Sequence, residues 1–239
     1  MSNSRKGYSF SGVGFAEICG AAGVPVLRAA AMGSLLVAAH AYAADLAPPD
    51  VPPPPPSQPN PEPTLRVGGY FGVLTSQALL TTVFEPWRTH ALSSYLADVH
   101  AIYTFYRLQS LPLDFELEGG IAKRFGDREG GQQFEFDLIP MARWKYFPWN
   151  NYVYTNIRLG LIGASYTTGI SDFERHFDSS GHSARFLNFL VPELVLAPKA
   201  NSPFEVFVRV HHRSGIYGLI DHVHGASNYV AGGIRFPLH

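Results

Sequence analysis

Phe204-Glu-Val-Phe-Val-Arg-Val-His-His-Arg-Ser214 and, after a polar loop, Asn228-Tyr-Val-Ala-Gly-Gly-Ile-Arg-Phe-Pro-Leu238 are two strands that alternate in opposite directions. Residues two apart on a strand share a face. In the first, Phe204, Val206, Val208, Val210, His212 and Ser214 fall on one side, and Glu205, Phe207, Arg209, His211 and Arg213 on the other. In the second, Asn228, Val230, Gly232, Ile234, Phe236 and Leu238 oppose Tyr229, Ala231, Gly233 and Arg235. Paired as an antiparallel hairpin, the two apolar stripes coincide. His212, Ser214 and Asn228 then meet at the loop end of an otherwise greasy face.

The same alternation extends back to Leu65. Leu65–Thr75, Tyr95–Leu108, Leu113–Phe125, Gln133–Phe147, Tyr152–Tyr166 and Arg185–Ala197 join the hairpin to predict eight strands. Turn residues occupy Gly126–Gly131, Pro148–Asn151 and Pro198–Pro203, and longer loops fall near 169–184 and 215–227. The connection 76–94 carries Glu85-Pro86-Trp87-Arg88, which suits a short helical turn. Gln133–Phe147 shows the face logic best. Phe134, Phe136, Leu138, Pro140, Ala142, Trp144 and Tyr146 lie opposite Gln133, Glu135, Asp137, Arg143 and Lys145.

Apolar stripes of about 9–11 residues match a tilted membrane-spanning strand. Lipid requires every backbone group to be paired, which a closed barrel achieves. The expected fold is therefore all-β, an eight-stranded antiparallel transmembrane β-barrel over residues 65–239. Its lumen would pair Glu116, Glu118, Glu135, Asp137, Arg143, Lys145, Arg158, Glu193, Glu205 and Arg209. A lipocalin-like soluble barrel is the alternative, and it would put the apolar faces inside. The chain ends Arg235-Phe-Pro-Leu-His239, without the terminal aromatic common among membrane barrels. Trp87, Trp144, Trp149 and Tyr152 suit an interfacial girdle.

Composition agrees. Only 15% of the 239 residues are charged, against roughly 25% in soluble domains, so much of the surface does not face water. Seventeen phenylalanines, 12 tyrosines and 23 glycines fit a β-rich wall with aromatic belts. A formal charge of −1 implies no polyanion-binding surface and no nucleic-acid partner.

Residues 1–43 read as a signal peptide: Arg5, Lys6 and Arg28 are basic, Ala29–Ala39 is apolar, and Ala41-Tyr-Ala43 is an A-x-A site. That apolar core is shorter than the roughly 20 residues of a spanning helix. An amphipathic N-terminal helix of a cytoplasmic protein is the other reading. Cys19, the single cysteine, lies in this segment, so the mature chain has neither disulfide nor thiolate metal site. Residues 44–64 are a proline-rich linker, extended and donor-poor, a spacer or a ligand for a proline-binding partner.

His212 and Ser214 at i, i+2 bring an imidazole beside a hydroxyl, and Asn228 supplies an acceptor for the second ring nitrogen. That is the arrangement of a nucleophile, its base and an orienting group. An H-x-S pair alone is a weak signal, but polar groups on a lipid-facing stripe carry a cost. Asp221, in the loop between the strands, is a second candidate orienter. His211, His212, His222 and His224 could be read as a metal cluster. His211 and His212 point to opposite faces, however, and we expect no metal.

The hairpin 204–238 resembles the C-terminal hairpin of the PagL family of outer-membrane lipid A 3-O-deacylases. The family's H-x-S motif matches His212-Arg213-Ser214, and its aromatic/aliphatic-Pro-aliphatic end matches Phe236-Pro237-Leu238. The resemblance implies an eight-stranded barrel with a serine–histidine–glutamate triad on its outer wall near the outer leaflet. Ser214 would be the nucleophile and His212 the base. Counting back from the shared end, the family's glutamate falls on Asn228. Two residues depart from the pattern: Asn228 is an amide, and Gly215 stands where the family usually has asparagine. The implied partners are lipid A or another outer-leaflet lipid and the membrane itself. No metal or organic cofactor is called for, and a homodimer is left open. The implied location is the bacterial outer membrane. Arg209 and Arg213 share the inner face with Tyr229 and Arg235, where they would pair with the glutamates; Arg213, if near the rim, would instead be placed to meet lipid A phosphates. A non-catalytic structural barrel of the same descent is the competing expectation.

Overall fold

A computed structural model describes residues 64–178 and 181–238. The signal-peptide and linker expectations for 1–43 and 44–64 lie outside the described residues but for Thr64. Eight antiparallel strands close into a barrel in sequence order. They are β1 Leu65–Thr75, β2 Ala91–Leu108, β3 Leu113–Gly126, β4 Gln133–Trp144, β5 Tyr154–Thr167, β6 Phe186–Ala197, β7 Glu205–Ser214 and β8 Ala226–Leu238. Closure is made by β1 against β8, from Leu65 opposite Leu238 to Thr75 opposite Asn228. With no free edge, the ladder satisfies the backbone as a bilayer demands.

The polarity is inverted relative to a soluble protein. The six largest fully buried side chains are Arg124, Arg143, Arg158, Arg209, Arg213 and Arg235. Phe134, Phe136 and Leu138 on β4 are instead about half exposed, at 51%, 45% and 51%. This excludes the lipocalin-like arrangement, whose apolar faces would be inside. The lumen is filled by ion pairs: Arg158 reaches Glu116 at 2.6 Å, Glu193 at 2.8 Å and Glu118 at 2.9 Å. Arg209 joins Glu118 at 2.6 Å and also pairs with Glu193. Each buried charge loses its hydration, and only such multiply paired geometry offsets that loss.

No helix among the described residues is long and apolar enough to cross a membrane. The strands are of spanning length instead. At one rim short turns join β2 to β3, β4 to β5 and β6 to β7. At the other, longer loops carry two six-residue helices, α1 (Leu79–Phe84) and α2 (Asp172–Phe177), and a 3-10 turn at Pro86–Arg88. Ser171 caps α2, its hydroxyl accepting from the Glu174 N–H at 3.4 Å.

β2 starts at Ala91 rather than Tyr95, and β8 at Ala226 rather than Asn228. Both extensions project at the loop rim, where pairing continues after the apolar stripe has ended. β4 stops at Trp144: the Lys145 N–H still donates in register to the Pro112 carbonyl, but Pro112 has no N–H to return the bond. A bulge shifts the β5–β6 register between Gly160 and Gly163 and leaves Leu161 and Ile162 both facing outward.

Candidate active site on the outer wall

β7 and β8 pair with His212 opposite Asn228 and Ser214 opposite Ala226. Paired residues share a face, so His212 and Asn228 emerge side by side on the outside of the barrel. His212 Nε2 lies 3.0 Å from Ser214 Oγ, and His212 Nδ1 lies 2.7 Å from Asn228 Oδ1. Ser214, His212 and Asn228 thus form one continuous hydrogen-bonded line.

The direction of the protons follows from a partner that the sequence pattern does not reveal. The loop after β1 brings the Gln77 carbonyl within 2.8 Å of Asn228 Nδ2. A carbonyl accepts only, so the Asn228 amide nitrogen must face Gln77 and its oxygen must face His212. Asn228 Oδ1 in turn accepts only, so His212 carries its proton on Nδ1. The Nε2 lone pair is left to receive the Ser214 hydroxyl proton. One backbone carbonyl therefore sets the amide, the tautomer and the basic nitrogen.

The same loop covers the line. Thr75 donates from Oγ1 to the Asn228 carbonyl at 3.2 Å, and Thr82 of α1 lies 3.5 Å from Thr75 Oγ1. α1 packs on the outer faces of β7 and β8. Outward-facing Val208 is 56% exposed, whereas Val210, His212 and Asn228 beneath the loop are at 7%, 8% and 4%. Ser214, at the edge of this cover, stays partly exposed. Leu80, Phe84 and Trp87 of the covering loop point away from the barrel, at 69%, 70% and 78% exposure. Trp144, Trp149 and Tyr152 are also exposed, as girdle residues would be.

Gly215 follows Ser214 for a steric reason. A Cβ there would sit 2.1 Å from the Val223 carbonyl oxygen, closer than any side chain tolerates. The loop it opens folds tightly: Ile216, Tyr217, Asp221 and His222 all take positive φ. Its far end is tied to α2, where Asp178 Oδ2 accepts from the backbone N–H groups of His224 at 2.5 Å and Gly225 at 2.9 Å.

Directly behind the outer site, Arg213 points into the barrel and is fully buried. It donates to Glu174 at 2.5 Å and to the carbonyls of Ala184 and Arg185 at 2.8 and 2.6 Å. This is the inward pairing with a glutamate expected of Arg213, and the alternative contact with lipid phosphates is overturned, since loop carbonyls and Glu174 consume its donors. Glu174 also accepts from Arg124 at 3.1 Å, Ser183 at 2.8 Å and Ser227 at 2.8 Å. Burial pushes its carboxyl up, but Arg213 and Arg124 outweigh this and hold it below the usual carboxylate range.

Asp221 does not join the line; it is exposed and 3.5 Å from His182. Nor do the four histidines converge. His211 faces the lumen, with Nδ1 2.8 Å from the Tyr70 hydroxyl, while His212 is outside. A cavity of about 290 Å³ opens at the loop rim between Ser76, Arg128, Phe173 and His176, and none of the three aligned residues lines it.

The crystal structure of the outer membrane enzyme PagL is similar to this chain, with a TM-score of 0.53 at 16% identity over 72% of this chain and 99% of that one. The likeness is one of fold. Neisserial surface protein A (NspA) also matches, at TM-score 0.41 and 10% identity, over 73% of this chain and 97% of that one. No family model matches the sequence, and no curated protein matches it.

Proposed function

We propose that this chain is an outer-membrane ester hydrolase that removes an acyl chain from lipid A or a related outer-leaflet lipid. The observation that carries the reading is the Ser214–His212–Asn228 line on the outside of a barrel whose outer wall is otherwise apolar. A luminal polar network needs no special account in such a barrel. A hydroxyl, an imidazole and an amide aligned on the lipid side do. The PagL-like barrel supports the setting, and the H-x-S match supports the substrate class.

Ser214 Oγ attacks the ester carbonyl while His212 Nε2 takes its proton. The tetrahedral intermediate collapses as His212 returns that proton to the departing sugar oxygen, leaving an acyl-serine. Water, deprotonated by the same nitrogen, then releases the fatty acid and restores the serine. Asn228 Oδ1 keeps Nδ1–H oriented throughout and stabilises the imidazolium less than a carboxylate would. Substrate reaches the site laterally through the leaflet, so the wall itself serves in place of a deep pocket. The loop end of the barrel then faces the outer leaflet.

Mass spectrometry of lipid A from a Gram-negative host expressing the chain, beside Ser214→Ala, tests the reading. Loss of one acyl chain with the wild type only is expected. Unchanged lipid A in both, with both barrels folded in the outer membrane, would remove the lipid A assignment.

A further inference from the structure

Asp137 is the buried acid that the luminal ion pairs leave out. It points inward from β4 and is only 8% exposed, yet neither carboxylate oxygen has a hydrogen-bond partner. Its neighbours across the ladder are small, Gly120 on β3 and Ser165 on β5. Ser165 turns its hydroxyl to Glu135 Oε1, at 2.6 Å, rather than to Asp137. The surrounding cations are committed elsewhere: Arg124 to Glu129, Glu135 and Glu174, Arg209 to Glu118 and Glu193, and Arg213 to Glu174. Asp98 is paired with His100. A buried carboxylate without counter-charge costs several kcal/mol, so the site takes up either a proton or a cation.

Glu135, Asp137 and His211 each aim one ligand atom at a common space, all within 4.8 Å of one another. We propose that these three residues bind a divalent transition-metal ion of the zinc type inside the barrel. One imidazole and two carboxylates form a nitrogen–oxygen set suited to zinc. Ligand atoms about 2.0–2.2 Å from a tetrahedral ion lie about 3.4 Å apart. His211 Nε2 and Glu135 Oε1 are 3.0 Å apart and must open slightly, while the Asp137 ligand atom, within 4.8 Å of both, completes the set. The outer partners suit ligation too. Glu135 Oε1 accepts only, so without an ion Nε2–H donates to it; the ion displaces that proton, and Nδ1–H then donates to the Tyr70 hydroxyl. Arg124, 3.3 Å from Glu135 Oε2, steadies the other carboxylate oxygen. Facing the lumen, the ion has no part in ester chemistry; it neutralises Asp137 and ties β4 to β7.

The test uses the full chain, refolded from urea into detergent with zinc chloride, desalted, washed with a weak chelator, and assayed for zinc by mass spectrometry. About one zinc per folded chain is expected, falling roughly tenfold or more in Asp137→Asn. It should persist when the loop histidines His176, His182, His222 and His224 are all replaced by alanine. Zinc-free wild type after the wash overturns the site and leaves a proton shared between Glu135 and Asp137. Equal zinc in wild type and Asp137→Asn overturns it as well. Should Asp137→Asn fail to fold, X-ray absorption of the wild type decides. One imidazole with oxygen ligands supports the site, and two or more imidazoles refute it.

Discussion

The Gln77 carbonyl lies 2.8 Å from the Asn228 amide nitrogen, and this contact makes the third position of the outer line an amide position. A carboxylate there would set one oxygen toward His212 and the other against an acceptor. The expected result is that Asn228→Asp, although it supplies an acidic orienter, lowers turnover. Setting that second oxygen against the Gln77 carbonyl costs about 1–3 kcal/mol, or roughly five- to 150-fold in rate when felt at the transition state. Lipid A deacylation rates for wild type, Asn228→Asp and Asn228→Ala would decide it. A more active aspartate variant would show that Gln77 does not select the amide.

The loop that carries Gln77 also carries Leu80, Phe84 and Trp87, each pointing away from the wall. Such side chains at a membrane rim gain from burial among acyl chains. Leu80→Ser with Phe84→Ser should therefore reduce hydrolysis of lipid A in vesicles several-fold while leaving hydrolysis of a short, water-soluble ester unchanged. An equal fall on both substrates would mean that the loop acts on the hydrogen-bonded line itself, not on lipid.

Glu174 provides the pH dependence. Its carboxyl is held below the usual range near 4.5 by Arg213 and Arg124 against the opposing effect of burial. A depressed folded-state value stabilises the cap above the unfolded value, and that stability is lost as pH falls through the folded one. The loop segments 168–178, 181–185 and 215–225 should thus stay protected from hydrogen exchange at pH 7 and open progressively below about pH 4.5. Glu174→Gln should remove that acid-sensitive step and loosen the loops even at pH 7, because buried Arg213 loses its carboxylate partner, while Arg124 keeps Glu129 and Glu135. Breaking such a pair costs about 3–5 kcal/mol. An acid transition identical in wild type and Glu174→Gln would assign it to other carboxylates.

The barrel was legible because its signal is local. Phe134, Phe136 and Leu138 alternate with Glu135 and Asp137, and an inward charge every second residue has no other economical arrangement. The pairing of His212 with Asn228 was legible for the same reason, since hairpin register follows from the two stripes. What escaped depends on contacts across the fold. Gln77 acts through its backbone carbonyl, which any residue type provides, so no side-chain pattern marks it. Arg213 and Glu174 meet only when the loop after β5 folds over the rim. Asp137 looked like the other luminal acids, and its isolation appears only once every arginine has been assigned.

Gly215 gives the last test. At this position a Cβ would stand 2.1 Å from the Val223 carbonyl oxygen. Gly215→Ala should force the 215–225 loop from its present path, at about 1–3 kcal/mol, the usual cost of inserting an atom into a packed site. The barrel, held by strands that do not involve this loop, should still form and show normal heat-modifiable mobility. Activity should fall because Ser214 borders the displaced segment. The His212–Ser214 contact can be followed separately by the reactivity of Ser214 toward a fluorophosphonate. Reduced labelling in a folded Gly215→Ala barrel is expected. Undiminished labelling and turnover would show that the loop adapts without disturbing the serine.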